Sequence, residues 1–461
     1  MPYHNRVYYR NTFLHIGHLQ TLCYNNDIAK QNNGMCYAIV DDRQHALRSF
    51  HISEDIKYLG LDQIKVISVM EHAELIHIYT KELARIGDVY INNDSNTIEC
   101  LDHPSHNFQI RLNYRDKPTI GYSKRIEDDT YIIIYIFDYI IKVLDDSLNI
   151  TNVITTTPQD IVDNDIMEFF TELSRQNNKV IRYNALKTYR ILGFRYTKRD
   201  WPKLKEDDMR LMTIRGMKAR HIPPEVIYSF YKHAVKWQEH SDRIPDVKIT
   251  VFDMILKNYL SLNSRRAFAV IDPLEVEITN MEDRCTEYIL KPHKQIGLSD
   301  KFNIVPLSNR IFIEKRDFSL VECPDKISKD KEIKLKYANI LYCTDVKMDE
   351  DGYPRKLKAK YYKKDSDSSR CIHWISSESG SSMRQARFMM YDWFYTGENE
   401  PNTIVIKDGY IDEYVFDDLT QIYQLERQGY FAYDEDYTKC NGGIPTFIKI
   451  CGIRHYYKKR Y

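Results

Sequence analysis

The stretch NTFLHIGHLQTLCYNNDIAKQNNGMCYAIVDDRQ, from Asn11 to Gln44, decides the fold. It opens with two histidines, His15 and His18, and continues as a run with helical spacing to Lys30. A continuously apolar segment follows, and an uninterrupted run of this kind is typical of a parallel strand buried on both faces. Strand-like residues also precede the histidines, so the stretch predicts a βαβ unit and a parallel sheet.

The two histidines form a candidate phosphate site. Residues at i and i+3 share one face of a helix, and a helix N-terminus attracts anions through its free N–H groups and positive dipole end. Imidazoles there could hydrogen-bond a polyphosphate, and Gly17 would let a nucleotide approach the backbone closely. Asp41, at the end of the next strand, would face the same crevice, where its carboxylate suits an ammonium group. From these residues alone, a solvated loop with two incidental histidines is an equally open interpretation.

Composition restricts the class of protein. The 461 residues carry no net charge, so any nucleic-acid surface must be a local patch. The nine cysteines are odd in number and none are spaced as CxxC, which argues against a disulfide framework and a compact zinc site and favours a reducing compartment. The most apolar run, Tyr131–Leu144, is too short to span a bilayer and is broken by Asp138 and Lys142. We therefore expect a cytoplasmic protein without membrane association, and we assign no residue as a metal ligand.

The pattern changes along the rest of the chain. Residues 92–129 are polar and irregular, which indicates an insertion rather than core. Strand and helix patterns return over residues 131–148, and residues 205–263 are mostly helical. After residue 266, short apolar runs alternate with turn residues, which predicts an all-β half built as a barrel or a sandwich.

Several motifs resemble one family. The histidine stretch is similar to the HIGH signature of class I aminoacyl-tRNA synthetases, with the strand and acidic pair of the glutamyl/glutaminyl branch. That branch's WDDPR-x-PT-x-x-GLRRRG segment resembles EDDMRLMTIRGMKARHIPPEVI, and the RAMAVIDP stretch of glutaminyl-tRNA synthetases resembles RRAFAVIDPLEVEITN. In the β half, the family's barrels are matched in order by RIFIEKRDF, KEIKLKYA, CIHWIS, YQLERQGYFAYD and PTFIKICGIRH. The resemblance covers almost the whole chain and favours the glutaminyl member.

The resemblance implies an enzyme that attaches glutamine to tRNA with ATP, through an aminoacyl-adenylate and with Mg²⁺ on the ATP phosphates. It implies that His15 and His18, with Gly17, bind the ATP phosphates and stabilise the transition state, and that Asp41 binds the α-amino group of the amino acid. The implied partners are ATP, glutamine and tRNA, with tRNA-Gln as the expected substrate and a monomer as the expected state.

Other site residues are assigned by their position in the family's motifs. They are Lys198 for catalysis, Arg199 for ATP, Phe137 and Asp138 for the amino acid, and Lys363, Lys364, Arg384 and Arg387 for tRNA. The chain also departs from the family. The MSKR lysine loop falls by register on Tyr189–Gly193, which contains no lysine, so Lys198 serves only if the loop is re-registered. Phe137 stands where the family has a tyrosine that holds the amine, and VYYRNT replaces the PPEPNG turn before HIGH.

The predicted fold is an α/β Rossmann-type catalytic domain with a small insertion, a helical connector and a C-terminal all-β double-barrel anticodon-binding region. The predicted boundaries are 1–91 and 130–204 for the two catalytic halves, 92–129 for a reduced acceptor-stem insertion, 205–265 for the connector and 266–461 for two barrels, which we expect to be nested. Three functions stay open at this point. They are a reduced but working glutaminyl-tRNA synthetase, a tRNA-binding descendant that has lost aminoacylation, and a synthetase with a changed amino-acid substrate.

Overall fold

The structure is a computed structural model. It describes residues 2–10, 13–42, 47–72, 74–75, 78, 108–113, 119–124, 136–155, 182–185, 190–192, 204–239, 246–282, 287–294, 297–323, 325–364, 371–377, 383–391, 394 and 404–453. The chain divides into two compact units. The first unit is Met1–Ile191 with Tyr231–Val247, and the second unit is Leu192–Phe230 with Lys248–Tyr461.

The elements up to residue 192 alternate strands and helices. In chain order they are β1 (Asn5–Arg10), a 3-10 helix (Ile16–His18), α1 (Leu19–Gln31), β2 (Cys36–Asp41), α2 (Arg48–Tyr58), β3 (Lys65–Ser68), a second 3-10 helix (Met70–His72), β4 (Phe108–Asn113), β5 (Thr119–Lys124), α3 (Ile136–Ser147), β6 (Asn152–Thr155), β7 (Arg182–Ala185) and β8 (Arg190–Leu192). Five of the strands form one sheet in the order β3-β2-β1-β6-β7, and every neighbouring pair is parallel. The parallel sheet predicted from the histidine stretch is confirmed.

The strand order places a crevice at the end of β1. The chain passes from β1 outward to β2 and β3, and returns to the other side of β1 as β6. Ligands of open α/β sheets bind beyond the carboxyl ends of the strands at such a switch point. Arg10 pairs with Asp41, so β1 and β2 end at the same edge of the sheet. The two candidate motifs therefore start from adjacent strand ends.

Burial explains why the helix after the histidines forms. Helix α1 packs against β1, β2 and β6, and it buries Leu19, Leu22, Cys23 and Ala29. The helix expected over His15–Lys30 is present, but its first turn is the 3-10 helix. A salt bridge of 2.6 Å, between Arg6 on β1 and Asp145 on α3, is almost completely buried. This salt bridge holds β1 and α3 together.

Part of the expected insertion is regular. Residues 92–129 were predicted to be irregular, and this is wrong for β4 and β5, which pair antiparallel from Phe108 with Lys124 to Asn113 with Thr119. Of the strand and helix patterns expected over residues 131–148, residues 131–135 lie outside the described part of the chain. Helix α3 takes up the second part of the apolar run.

The middle of the chain is helical, as predicted. It contains α4 (Ile214–Ala219), α5 (Pro224–Glu239), the short strand β9 (Asp246–Lys248) and α6 (Ile249–Asn263). Thr213 begins α4, because its side-chain oxygen accepts a hydrogen bond of 2.9 Å from the Gly216 N–H. A Cβ on Gly216 would lie 2.5 Å from the backbone oxygen of Asp208, so this close turn requires glycine.

The last part of the second unit is built from strands. In chain order they are β10 (Arg265–Ala267), β11 (Ala269–Ile271), β12 (Pro273–Ile278), β13 (Glu287–Pro292), β14 (Phe302–Leu307), β15 (Arg310–Glu314), β16 (Glu332–Leu335), β17 (Ile340–Met348), β18 (Pro354–Tyr362), β19 (Cys371–Ile372), β20 (Ile375–Ser376), β21 (Met383–Met390), β22 (Val405–Asp412), β23 (Ile422–Leu425), β24 (Gly429–Asp434) and β25 (Thr446–Cys451), with 3-10 helices at Lys315–Asp317 and Glu413–Asp417 and α7 (Glu435–Cys440). The all-β half is confirmed.

These strands form two mixed near-barrels. One seven-stranded sheet has the order β19-β16-β17-β18-β12-β15-β20, and the other has β10-β23-β24-β25-β21-β22-β11. The second sheet combines strands from both ends of the β half, so the predicted nesting is confirmed. The chain changes sheets at Asp272, which joins β11 to β12 and adopts a φ of 58°. Its N–H donates to Asp408 and its C=O accepts from Lys315, which stabilises this corner of the AVIDP motif.

Candidate active site

The histidine turn, residues His15–His18, is held by hydrogen bonds between its own backbone and its two histidine side chains. The His15 ring Nδ1 accepts a hydrogen bond of 3.0 Å from the Gly17 N–H, and the His18 Nδ1 accepts one of 3.3 Å from the His15 N–H. The two rings stack with centroids 3.7 Å apart. Each ring therefore caps the start of the 3-10 helix, and both lie just beyond the end of β1.

These contacts fix the tautomer of each ring. A neutral imidazole has one donor nitrogen and one acceptor nitrogen, and both Nδ1 atoms accept backbone N–H groups. The remaining ring proton of His15 and of His18 must then lie on Nε2. An Nε2–H donor suits a phosphate oxygen, and in this structure the His18 ring also hydrogen-bonds the Phe13 backbone.

Both rings are held neutral at physiological pH. Burial lowers the pKa of His15 well below 6.5, and the neighbouring His18 lowers it further. Burial likewise lowers the pKa of His18 to about 4, against a smaller opposing effect of its hydrogen bond to the Phe13 backbone. The turn therefore carries two neutral imidazoles rather than positive charge.

Tyr9 forms a wall against the second histidine. Its ring is buried and meets the His18 ring edge-on, with centroids 5.6 Å apart. This tyrosine comes from the VYYRNT segment, where the chain departs from the family. It restricts the rotation of His18 and narrows the space beside that ring.

The two adjacent aspartates at the end of β2 have different partners. Asp42 accepts 2.6 Å from the Ser68 hydroxyl and 3.0 Å from the Met70 N–H, so it ties β2 to the end of β3. Asp41 accepts 3.3 Å from the Tyr8 hydroxyl on β1. Asp42 therefore has structural contacts, and the assignment of Asp41 to a substrate ammonium group stays a prediction.

Two residues contact Asp41 in ways that the sequence did not predict. Tyr8 holds its carboxylate, and the buried Arg48 donates 2.8 Å to its backbone oxygen. Tyr8 stands two residues before the strand end, and the parallel register of β1 and β2 would be needed to bring it beside Asp41. That register follows from the fold and cannot be read from a single segment.

Some predicted residues lie outside what the structure describes. Lys198 and Arg199 are not among the described residues. Phe137 and Asp138 belong to α3, but their side chains are outside the description. Their assigned roles stay predictions.

The residues predicted to contact tRNA lie on the second unit, and most have acidic partners. Arg384 donates 3.2 Å to Glu413, Arg387 donates 2.8 Å to Asp408, and the Lys363 Nζ lies 3.4 Å from a Glu287 oxygen. Lys364 is exposed. RNA binding through the two arginines would exchange one charged partner for another, and their roles stay predictions.

A group with the geometry of metal ligands has another explanation. Among the described residues, one such cluster is found, formed by Glu314, Asp317 and His373. Arg427 already places its guanidinium there, with two hydrogen bonds of 2.7 Å to Asp317 and one contact of 3.0 Å to His373. Because the Arg427 guanidinium already contacts Asp317 and His373, we interpret this cluster as a structural contact within the β half.

Comparisons with known families agree with the motifs. Three family models match: tRNA synthetases class I (E and Q), catalytic domain, at residues 10–119, and two anti-codon binding domains of the same class at residues 264–362 and 371–434. Together they cover more than half of the chain. The catalytic match includes the histidine turn and both aspartates.

Curated relatives extend the similarity over nearly the whole chain. The probable glutamine–tRNA ligase of Dictyostelium discoideum is 24% identical over 93% of this chain and 62% of its own length. The glutamine–tRNA ligase of Alteromonas mediterranea is 24% identical over 97% of this chain and 93% of its own length. That of Lupinus luteus is 24% identical over 93% of this chain and 62% of its own length, so the chain spans about three fifths of two of these relatives.

Solved structures match only weakly. A glutamate tRNA ligase from Elizabethkingia meningosepticum is 12% identical, with a TM-score of 0.31, over 44% of this chain and 53% of that one. That score is too low to support a conclusion about the fold. The assignment instead depends on the family models, the curated relatives and the order of the motifs. The chain belongs to the glutamyl and glutaminyl branch of the class I aminoacyl-tRNA synthetases.

Proposed function

We propose that the chain attaches glutamine to tRNA in two ATP-dependent steps. The observation that carries this proposal is the stacked, neutral histidine pair that follows β1, together with the Asp41 carboxylate at the end of the adjacent strand β2. Hydrogen-bond donors for phosphate and a hydrogen-bond acceptor for an ammonium group then lie at one edge of one sheet. The match to the family's catalytic domain and the names of the relatives support the same activity.

The first step is adenylate formation. An oxygen of the glutamine carboxylate attacks the α-phosphorus of ATP, and the bond to pyrophosphate breaks. The Nε2–H of His15 donates to a phosphate oxygen as negative charge develops there, and that of His18 does so in place of its hydrogen bond to the Phe13 backbone. Asp41 accepts from the ammonium group and fixes the amino acid for attack, which contributes through positioning.

The second step is transfer to tRNA. A ribose hydroxyl of the terminal adenosine attacks the adenylate carbonyl, and AMP leaves. Matches to two anti-codon binding domains support tRNA as the acceptor. We propose tRNA-Gln as the substrate, a monomer as the active form and the cytoplasm as the location. Among the described residues, no helix is long and apolar enough to cross a membrane.

Magnesium fits this site as a companion of ATP. The neutral N–H donors and the helix start suit phosphate oxygens, and within the described part of the first unit no cluster of carboxylates, histidines or cysteines has metal-ligand geometry. Mg²⁺ bound to the ATP phosphates would neutralise part of their charge. The residues named above would contact the phosphates and the amino acid.

A tRNA-binding protein without aminoacylation is the second candidate. The observation that favours it is Tyr9, whose ring packs edge-on against His18. A ring in this position reduces the space available to a nucleotide. Such a protein would keep the anticodon-binding half and bind tRNA without forming an adenylate.

Charging assays separate the two candidates. Purified protein is given ATP, a tRNA pool and either labelled glutamine or labelled glutamate, with tRNA binding measured in parallel. We expect glutamine incorporation, and we expect the His15→Ala, His18→Ala double variant to lose it while it still binds tRNA. Preference for glutamate would overturn the substrate proposal. Tight tRNA binding without any charging would instead support the binding protein.

A matched variant controls for folding of the turn. In His15→Asn, the amide oxygen keeps an acceptor for the Gly17 N–H, since asparagine is a good helix cap. The ring and its Nε2–H donor are lost. Removing one donor from a site of developing negative charge typically costs about 100-fold in kcat. A stable His15→Asn protein with undiminished kcat would contradict the role of this ring.

A further inference from the structure

A buried asparagine, Asn25, lies in the middle of α1, on the side of the helix that packs against the sheet. Its side chain is 0% exposed, and its helical neighbours Leu22 and Ala29 are buried apolar residues. Asparagine is a poor helix former, and a buried amide costs free energy unless it is hydrogen-bonded. Packing alone therefore does not explain an asparagine at this position.

The Asn25 amide nitrogen donates two hydrogen bonds, and both acceptors are backbone oxygens. One is the Thr21 oxygen, one turn earlier in α1, at 2.8 Å, and the other is the Ile154 oxygen on β6, at 2.7 Å. Asn5 on β1 donates to the Asn25 side-chain oxygen at 3.4 Å and to its backbone oxygen at 3.3 Å. One buried residue therefore connects α1, β1 and β6.

The contact on β6 lies where the sheet opens. Within the described residues, β1 and β6 pair over two residues, ending at Arg6 with Val153, whereas β1 and β2 pair along the whole of β1. Ile154 is the next residue of β6 after this last pair. Adjacent strands that separate at a switch point form the crevice in which open α/β sheets bind ligands. Asn25 therefore holds α1 against β6 at the point where β1 and β6 separate.

A short series of hydrogen bonds leads from this contact to the histidine turn. The Thr21 hydroxyl donates 3.1 Å to the His18 backbone oxygen, and the Thr21 backbone oxygen accepts from Asn25. The His18 N–H in turn donates 2.8 Å to the His15 backbone oxygen. A movement of α1 relative to β6 would therefore move both imidazoles relative to the end of the sheet.

We propose that Asn25 is a positioning residue for adenylate formation. Its amide fixes the distance between the histidine turn and β6, and so the place of the His15 and His18 rings relative to ATP in the crevice. Asn25 acts through the turn and not on the substrate, because its amide is buried and bonded to backbone oxygens. The inference rests on the proposed function insofar as ATP is the ligand of this turn.

Two substitutions of Asn25 separate its contacts. Asn25→Ala removes both donors, and a misplacement of about 1 Å can cost about 100-fold in rate. We therefore expect kcat for tRNA charging to fall by up to about 100-fold, with KM for ATP close to the wild-type value. Asn25→Ser keeps a hydroxyl that can donate to the Thr21 oxygen, but this hydroxyl is too short to reach Ile154. Asn25→Ser should therefore lose as much kcat as Asn25→Ala.

The next residue of α1 offers a matched control. Asn26 is 2% exposed, and its side-chain oxygen accepts 3.0 Å from Gln63, outside the series that leads to His18. Asn26→Ala should lower the unfolding temperature, as Asn25→Ala does, and leave kcat unchanged. Thermal unfolding of each variant sets the assay temperature, so that every protein is folded when its kcat is measured.

A second readout does not depend on activity. The imidazole resonances of His15 and His18, assigned with the His15→Asn and His18→Gln variants, are recorded by NMR for wild type and for each asparagine variant. We expect Asn25→Ala and Asn25→Ser to shift the resonances of both rings. Asn26→Ala should leave these resonances in place.

The outcomes distinguish this inference from the proposed function. If wild type charges tRNA and Asn25→Ala keeps its kcat, or if Asn26→Ala loses as much kcat, the inference is refuted and the proposed function stands. A wild-type kcat in Asn25→Ser would likewise overturn the role of the β6 contact. If wild type charges no tRNA, the proposed function fails, and the histidine resonances then decide whether Asn25 holds the turn. Shifted resonances in Asn25→Ala would support that role, and unchanged resonances would refute it.

Discussion

Acid should destabilise the first unit through its histidine turn. The pKa of His18 is lowered from 6.5 to about 4, chiefly by burial. Between pH 6.5 and pH 4, the His18 imidazole is protonated in the unfolded chain and neutral in the folded protein. Stability therefore falls as the pH drops from 6.5 to 4, and it is unaffected by this group above pH 6.5.

The size of the effect follows from the shift. A change of about 2.5 units, at 1.36 kcal/mol per unit, corresponds to about 3 kcal/mol lost by pH 4. His15 acts in the same direction, because burial and the neighbouring ring lower its pKa as well. The loss is a substantial share of the 5–15 kcal/mol by which a typical domain is stable.

Two measurements test this reasoning. Urea unfolding of wild type and His18→Gln at pH 7, 5.5 and 4 should show a steeper loss for wild type, since glutamine does not titrate. NMR of the ring protons should show His18 still neutral at pH 5.5. A His18 resonance that titrates between pH 6 and 7 would refute the burial argument.

Other variants test the contacts around the site and the sheets. Tyr8→Phe removes the hydroxyl that donates 3.3 Å to Asp41, so we expect KM for glutamine to rise about fivefold with KM for ATP unchanged; an equal rise in both would contradict a role at the ammonium group. Asp145→Ala removes the carboxylate from the Arg6 guanidinium, which is 1% exposed, and should cost about 3–5 kcal/mol in urea unfolding, whereas a loss below 1 kcal/mol would contradict the buried pair. Gly409→Ala would place a Cβ 2.2 Å from a backbone oxygen of β11, so we expect a lower Tm, and an unchanged Tm would show that these strands can separate without cost.

The fold around the histidine turn could be predicted because its signals are local. Residues 36–41 form an apolar run that is buried between helices, and α1 begins directly after the capping histidines. Asp41 lies at the end of β2 as the sequence pattern indicates, and its role at the ammonium group stays a prediction. Asp42 is held by Ser68, which comes from a strand whose pairing the sequence does not display.

Long-range contacts explain the residues that were missed. Tyr8 reaches Asp41 only through the β1–β2 register, and Arg6 meets Asp145 across 139 residues of chain. The β4–β5 hairpin had a usable signal, because FQIRLN alternates apolar and polar residues with the period of a strand. Its polar composition suggested an irregular insertion instead.

Many of the recognisable motifs act in folding rather than in chemistry. Asp272 forms the corner between the two near-barrels, Thr213 caps α4, and Arg427, between β23 and β24, pairs with Asp317, which follows β15. Such positions tolerate few substitutions, because each satisfies buried groups or an unusual backbone angle. Resemblance through these motifs therefore predicts the fold better than it predicts activity.

The most direct test of the account is the stoichiometry of AMP. Wild-type protein is incubated with tRNA-Gln, glutamine and ATP, and AMP and glutaminyl-tRNA are quantified together. The account predicts one AMP for each glutamine esterified to tRNA, and loss of both products in the His15→Ala, His18→Ala variant. Binding of tRNA without either product would contradict an aminoacylating enzyme.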